Sequence, residues 1–426
     1  MTMNLPARLL AASLLISFTV RAAPVDDLPE HVVRGGLPNI FAKLQKGGDL
    51  SIAYLGGSIT AQPGYRVKTF EWFKTQFPQA KLTEINAAIG GTGSDLGVFR
   101  VGQDVLSHKP DLVFVEFAVN DGGAAPEQIH RCMEGIVRQT WRAYPETDIC
   151  FVYTIANNMI DEWKTGKLPR SVTAMEQLAG HYGIPSIHFG LPVAKFAAAD
   201  RLIIDKPLPK TGEEKKAVGD KIVFAPDKVH PHVATGHQIY FETAVRAFEK
   251  MRTGGQPTPH MLRIPFVADN LENAKLVPLS KAKLSTGWQK LAADHKLKGF
   301  FNRLPDIWHA NQPGDSIDFK FKGTAVGIYD LLGPDCGQVK VTLDGKTSEK
   351  PTSRFDSYCT YHRLGSFFPS RALSDGEHTL HLEIHPEQAD KAKIITDKKA
   401  YAADPNRFDD RQWYAGAIML VGDLIE

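Results

Sequence analysis

An α/β domain with a parallel sheet, followed by an antiparallel β-sandwich, is the fold this chain predicts. Three observations carry it. Short apolar runs alternate with amphipathic stretches from about residue 50 to 253, the pattern of strands and helices wound into one sheet. A breaker cluster, Thr253-Gly254-Gly255-Gln256-Pro257-Thr258-Pro259, then interrupts it. Beyond the cluster, apolar and polar residues alternate at period two, with turn residues at intervals. The boundaries that follow are 27–253 for the α/β domain, 254–262 for a linker and 263–426 for the sandwich.

Each element has a local reason. Ser51 to Leu55 is a short apolar strand, and Pro63 opens a helix running to Phe77. Leu82 to Ile89 reads as a second strand and Asp95 to Ser107 as a helix. Asp111 to Val119 is almost continuously apolar, as a strand buried on both faces requires. Pro126 starts a long amphipathic helix ending near Tyr144. Asp148 to Thr154 and Ile184 to His188 supply two further strands, and Thr235 to Met251 a last helix. In the second region Ile317, Phe319 and Phe321 alternate with polar residues. So do Val339, Val341 and Leu343, which lead into an Asp344-Gly345 turn, and Leu380, Leu382 and Ile384, which follow Asp375-Gly376.

Size and charge narrow the function. A chain of 426 residues suits two domains, and 43% apolar with 23% charged residues is ordinary globular composition. Fifty basic against 48 acidic residues, a net charge of +2, gives no electrostatic basis for binding nucleic acid or an anionic membrane. Arg8 followed by the apolar run Leu9 to Val20, with Val20-Arg21-Ala22 as the cleavage region, reads as a signal peptide over 1–22, so the protein is expected to be exported, periplasmic or secreted. In an oxidising compartment Cys336 and Cys359 are candidates for a disulfide, whereas Cys132 and Cys150 read as buried thiols. The loop from 205 to 225 carries Lys206, Lys210, Lys215, Lys216 and Lys221, and reads either as solvated surface or as a flap beside a substrate.

Three separated motifs supply chemistry. Leu55-Gly56-Gly57-Ser58-Ile59-Thr60 puts Ser58 on the turn after a strand. No Gly-Lys-Ser/Thr follows, which excludes a P-loop, and the dinucleotide glycine spacing fails. No Gly-x-Ser-x-Gly elbow occurs anywhere. Val119-Asn120-Asp121 places a side-chain amide at the end of another strand, where an ordinary turn is the competing reading. Asp227-Lys228-Val229-His230-Pro231 sets a carboxylate three residues before a histidine, close enough to fix its tautomer. A metal reading of Asp227, His230, His232 and His237 competes with this, although no partner motif completes such a site. Serine, histidine and aspartate together are the parts of an activated nucleophile, and an amide donor is what an oxyanion needs.

These residues resemble the four sequence blocks of the GDSL/SGNH hydrolase superfamily across about residues 50 to 250. Ser58 matches the nucleophile of the first block, and Asn86-Ala87-Ala88-Ile89-Gly90-Gly91-Thr92 is similar to the second, with Gly91 on its glycine. Asn120 matches the third block, and Asp227 with His230 the fourth. The resemblance implies a flavodoxin-like three-layer α/β/α domain and ester hydrolysis without metal or organic cofactor. Ser58, His230 and Asp227 would be the catalytic triad, and Ser58, Gly91 and Asn120 the oxyanion donors. Two departures stand out. Gly57 replaces the usual Asp, which changes what braces the nucleophile turn, and Ala118 replaces a frequent Gly, which is expected to narrow the oxyanion pocket.

Export, near-neutral charge and the appended sandwich suit an acylated carbohydrate as substrate, with O-acetyl esters of polysaccharide or oligosaccharide foremost. A lipase-like or thioesterase-like acyl hydrolase is the alternative enzyme, without a long apolar lid segment to support it. A carbohydrate O-acyltransferase and a glycan-binding protein with a lapsed site are the readings from other classes. Tyr358, Tyr361, Trp413 and Tyr414 are placed either to stack on sugars or to fill the sandwich core. The sequence leaves the sugar, the acetylated position and the oligomeric state open.

Overall fold

The computed structural model describes residues 25–425, so the expected signal peptide lies outside the described residues. Six strands form the first sheet: β1 (His31–Val32), β2 (Gly48–Gly56), β3 (Ala80–Ala88), β4 (Leu112–Glu116), β5 (Asp148–Val152) and β6 (Ser186–Ile187). Their spatial order is β1-β6-β5-β4-β2-β3. β2 to β6 run parallel, and only the two-residue β1 at the edge is antiparallel, a pairing the periodicity did not signal. Every residue of β4 and β5 is buried, which explains their unbroken apolar character. Tyr54 of β2 stacks on Phe114 of β4 with ring centroids 5.0 Å apart, one of many contacts that make this a packed core.

Helices cover the sheet. Pro126–Ala143 begins with proline at its first turn and buries a continuous stripe including Ile129, Met133, Ile136, Val137 and Trp141. Gly236–Met251 buries Ile239, Tyr240, Ala244, Ala247, Phe248 and Met251 in the same way. The helix expected from Pro63 begins at Tyr65. The lysine-rich loop is not an extended flap. It folds into the helix Gly212–Val218, closed by a capping box between Thr211 and Glu214, and sits between two small strands, Leu202–Ile203 and Ile222–Val223, that pair in parallel.

The C-terminal region is antiparallel throughout its strand ladders and begins at Ala274–Pro278. Its organising element is the 17-residue strand Ser316–Leu332. One edge of that strand pairs first with Gly376–Ile384 and then with Arg363–Ser370, while the other pairs with Trp413–Ile425. The sheet therefore wraps around an apolar core that includes Ile317, Phe321, Val326, Ile328, Leu382, Trp413 and Ile418. The Asp344-Gly345 turn forms where expected, with φ of 50° and 74°, and closes Leu343 onto Lys346. Cys336 and Cys359 are not joined: both are free, buried thiols, held by contacts to Leu331 O and to Asp356 respectively.

The two regions share a second core. Leu304, Ile307, Ala325, Tyr329, Leu331, Tyr414 and Met419 belong to the same buried cluster as the residues of β2, β4 and β5. The stretch preceding Ala274 also packs rather than dangling. His260 stacks on Trp141 at 4.6 Å, and Glu134 accepts hydrogen bonds from the N–H groups of Phe266 and Val267. An apolar seam of this kind holds the two domains in one relative position.

Candidate active site

Register brings the motifs together. At the end of β2, Gly56 pairs with Ala88 on one side and with Glu116 on the other. All three strands stop there, so Gly57 and Ser58, Ile89 to Gly91, and Phe117 to Asn120 emerge side by side. The chain order reverses across the sheet between β2 and β4, the place where open parallel sheets leave a crevice.

Ser58 opens a single helical turn, Ser58–Ala61. His230 reaches it from a loop pinned by main-chain bonds, Asn157 N–H to Lys228 O at 2.8 Å and His232 N–H to Phe224 O at 2.7 Å. The His230 Nε2 lies 2.8 Å from Ser58 Oγ, and its Nδ1 lies 2.8 Å from Asp227 Oδ2. The other oxygen of Asp227 accepts the N–H groups of Val229 (2.8 Å) and His230 (2.6 Å). Partial burial would raise the Asp227 carboxyl, but these N–H groups and the His230 ring outweigh it and hold it below its ordinary value. An anionic Asp227 keeps the proton on Nδ1 and leaves Nε2 to accept from the serine hydroxyl. Such a chain can draw a proton from an alcohol as it becomes a nucleophile.

Asn120 sits in the short turn Asn120–Gly123, and its side chain lies against Gly57. A Cβ at position 57 would come within 2.0 Å of Asn120 Oδ1, so a larger residue there is incompatible with this placement of the amide. Gly91 has φ +73°, the left-handed geometry that turns its loop over Ser58. Ala118 is fully buried.

The brace for the nucleophile turn is Glu116, a residue the motif reading passed over. It is fully buried at the end of β4. Thr154 Oγ1 donates to one carboxylate oxygen at 2.6 Å and Thr60 Oγ1 to the other at 3.1 Å. Tyr65 OH in turn donates to Thr60 at 2.7 Å. Burial raises the Glu116 carboxyl, while these hydroxyls and the N–H groups of Ala118 and Gly57 favour its ionised form. The signal was present in the sequence: one acid at the end of an otherwise apolar strand, Leu112-Val113-Phe114-Val115-Glu116.

His230, His232 and His237 do separate jobs. His237 Nδ1 accepts the N–H of Tyr65 at 3.1 Å and its Nε2 faces Gln62 Oε1 at 3.1 Å. Burial pushes its pKa down to about 3, which keeps it neutral. His232 Nε2 donates to Lys206 O at 2.9 Å. Neither shares the bonding partners of His230.

Ser58, Gly90, Gly91 and His230 line a cavity of about 730 Å³, and its opposite wall comes from the C-terminal domain. Phe300, Asn302, Arg303, Tyr358, Tyr361 and His362 are on that wall. Arg303 fastens the walls together, donating to Asn86 O beside the second motif and lying 3.5 Å from Asp104. The four aromatics divide: Trp413 and Tyr414 are buried in the domain, whereas Tyr358 and Tyr361 are 69% and 57% exposed at the cavity. No residue of 205–225 contributes to the lining.

Comparison with known proteins agrees with this architecture. No curated protein matches the chain. Two solved structures of a two-domain esterase (CEX) active on acetylated mannans match nearly end to end. The one co-crystallized with mannopentaose is 22% identical with TM-score 0.69, covering 92% of this chain and 97% of that one. The other is 21% identical with TM-score 0.69, covering 92% and 96%. These likenesses establish a shared two-domain fold. Residues 54–239, which hold all four motifs, match the profile of the GDSL-like Lipase/Acylhydrolase family. Over those residues the α/β domain is similar to that family, and the chain is a carboxylic ester hydrolase.

Proposed function

We propose that this protein is an exported serine esterase that removes O-acyl groups, above all O-acetyl groups, from polysaccharide or oligosaccharide. The observation that carries the reading is the unbroken chain Asp227–His230–Ser58, with both links at 2.8 Å, opening into a cavity rimmed by exposed tyrosines. His230 takes the Ser58 proton as the oxygen attacks the ester carbonyl, and Asp227 stabilises the imidazolium that forms. The N–H groups of Ser58 and Gly91 and the Asn120 amide receive the oxyanion. His230 then returns its proton to the departing sugar alkoxide. It next draws a proton from the water that attacks the acyl-serine and passes it to the Ser58 oxygen as the acyl group leaves as acetate.

Exposed tyrosines beside the nucleophile favour a sugar over a long acyl chain, since flat rings offer faces to pyranose C–H groups. The solved neighbour with the same two-domain fold, active on acetylated mannans, supports the same substrate class. Acetate release from a panel of acetylated polysaccharides tests the reading. The wild-type protein is expected to release acetate, and Ser58→Ala to lose at least about 10⁴-fold in turnover. A fully active Ser58→Ala protein refutes it.

A further inference from the structure

The C-terminal domain carries a second imidazole–carboxylate pair, and it faces the same cavity as the first. His362 Nε2 lies 2.7 Å from Asp335 Oδ1, and Tyr414 OH donates to Asp335 Oδ2 at 2.9 Å. The ring of His362 packs over Gly333, where a Cβ would approach its Cδ2 to 2.3 Å, and stands edge-on to Tyr414. Held on these sides, the imidazole has one fixed orientation. Burial would raise the Asp335 carboxyl, but His362 and Tyr414 outweigh it and keep it below its ordinary value. Burial and the nearby Asp335 charge push the Tyr414 phenol up, so it keeps its proton and stays a donor. With Asp335 bonded at Nε2, Nδ1 is the ring nitrogen left for a ligand, and among the described residues no hydrogen bond reaches it.

A ring nitrogen on the wall of an ester site can recognise a hydroxyl, and His362 shares its cavity with Ser58 and His230. Building on the carbohydrate reading above, we propose that His362, oriented by Asp335 and Tyr414, accepts a hydrogen bond from a free hydroxyl of the sugar that bears the scissile ester. The C-terminal domain thereby selects partly acetylated saccharides over fully acetylated ones. A saccharide without that hydroxyl leaves Nδ1 without its partner, and such mismatches discriminate more strongly than lost apolar contact.

The experiment compares kcat/KM on a partly acetylated oligosaccharide, its peracetylated form and p-nitrophenyl acetate. In His362→Phe and in Asp335→Asn, the ratio of partly acetylated saccharide to aryl acetate is expected to fall roughly tenfold. The preference over the peracetylated form should vanish with it. His362→Gln, whose Oε1 accepts a hydrogen bond, should recover part of the ratio. An unchanged ratio, or an equal loss on sugar and aryl esters, overturns the assignment of His362 while leaving the esterase reading intact. A wild-type protein that cleaves p-nitrophenyl acetate but no acetylated saccharide overturns the carbohydrate reading itself, and this inference with it.

Discussion

The wall of the cavity that carries Ser58 is made of strand ends, and the wall that carries Tyr358, Tyr361 and His362 is made of loops. Parallel pairing fixes the first wall, because Gly56, Ala88 and Glu116 are locked in register before the chain turns out of the sheet. The second wall meets a ladder only at Arg363 and Leu364, which pair with Leu332 and Leu331, and its loops are positioned by the apolar seam between the domains and by Arg303. The division matches two tasks. Acyl transfer needs donors fixed to fractions of an ångström, whereas recognition of a saccharide needs faces and acceptors that differ from one substrate to another. Damage to the first wall should therefore lower turnover on every ester, and damage to the second should change which esters are preferred.

Asn120→Ala gives the largest test of that contrast. Loss of one oxyanion donor is expected to cost about 10²–10³ in kcat, equally on acetylated oligosaccharide and on p-nitrophenyl acetate. A loss confined to the sugar substrate would assign Asn120 to the recognition wall instead. Glu116→Ala comes next. It leaves the Thr60 and Thr154 hydroxyls without their acceptor and frees the nucleophile turn, so thermal unfolding should show about 2–3 kcal/mol of destabilisation, with kcat lowered on all esters. If kcat is unchanged in protein that remains folded, Glu116 supports the sheet but does not position Ser58.

Alanine at both Tyr358 and Tyr361 has a smaller expected effect. Each ring lost removes about 1 kcal/mol of stacking, so with both gone KM on oligosaccharide should rise roughly thirtyfold relative to KM on aryl acetate. A fall in kcat on both substrates would mean that these rings also shape the chemistry, and the contrast between the walls would fail.

The same contrast explains what the sequence disclosed. Ser58 and Asn120 were legible because a strand-end position is readable from an apolar run and its turn, and because parallel sheets gather strand ends at one rim, whereas Asp227 and His230 were legible as a carboxylate three residues before a histidine. The strands β2, β4 and β5 form where expected for the former reason, with boundaries moved by at most three residues. Phe300, Asn302, Arg303 and His362 lie on loops without period, and only domain docking gives them a shared cavity. Tyr358 and Tyr414 illustrate the limit: similar residues in the same region, one exposed at the site and the other buried beside Asp335. Glu116 is a different case. Its burial was implied by the strand around it, and a buried acid on such a strand needs donors nearby.

The smallest effect concerns pH, and it also belongs to the first wall. Asp121 follows Asn120 and accepts the N–H of Ser94 at 3.0 Å through Oδ1, while Oδ2 is buried with no partner. Burial pushes its pKa up to about 7; the bonds with Ser94 oppose that rise, and the nearby Asp95 and Glu116 carboxylates add to it. The folded state thus binds a proton that the unfolded chain, with an ordinary carboxyl near about 4, has lost. Stability from this group is complete below about pH 4 and falls as pH rises through about 7. Asp121→Asn keeps the shape, removes the titration, and should be more stable than the wild type at pH 8 than at pH 5. The difference between the two melting curves is the quantity to follow, because Asp227, with its lowered pKa, contributes stability that is lost in the opposite direction, as pH falls. A difference that stays flat from pH 5 to pH 8 would show that Asp121 is ionised throughout. The turn bearing Asn120 would then be tied to the Ser94 loop by an anion.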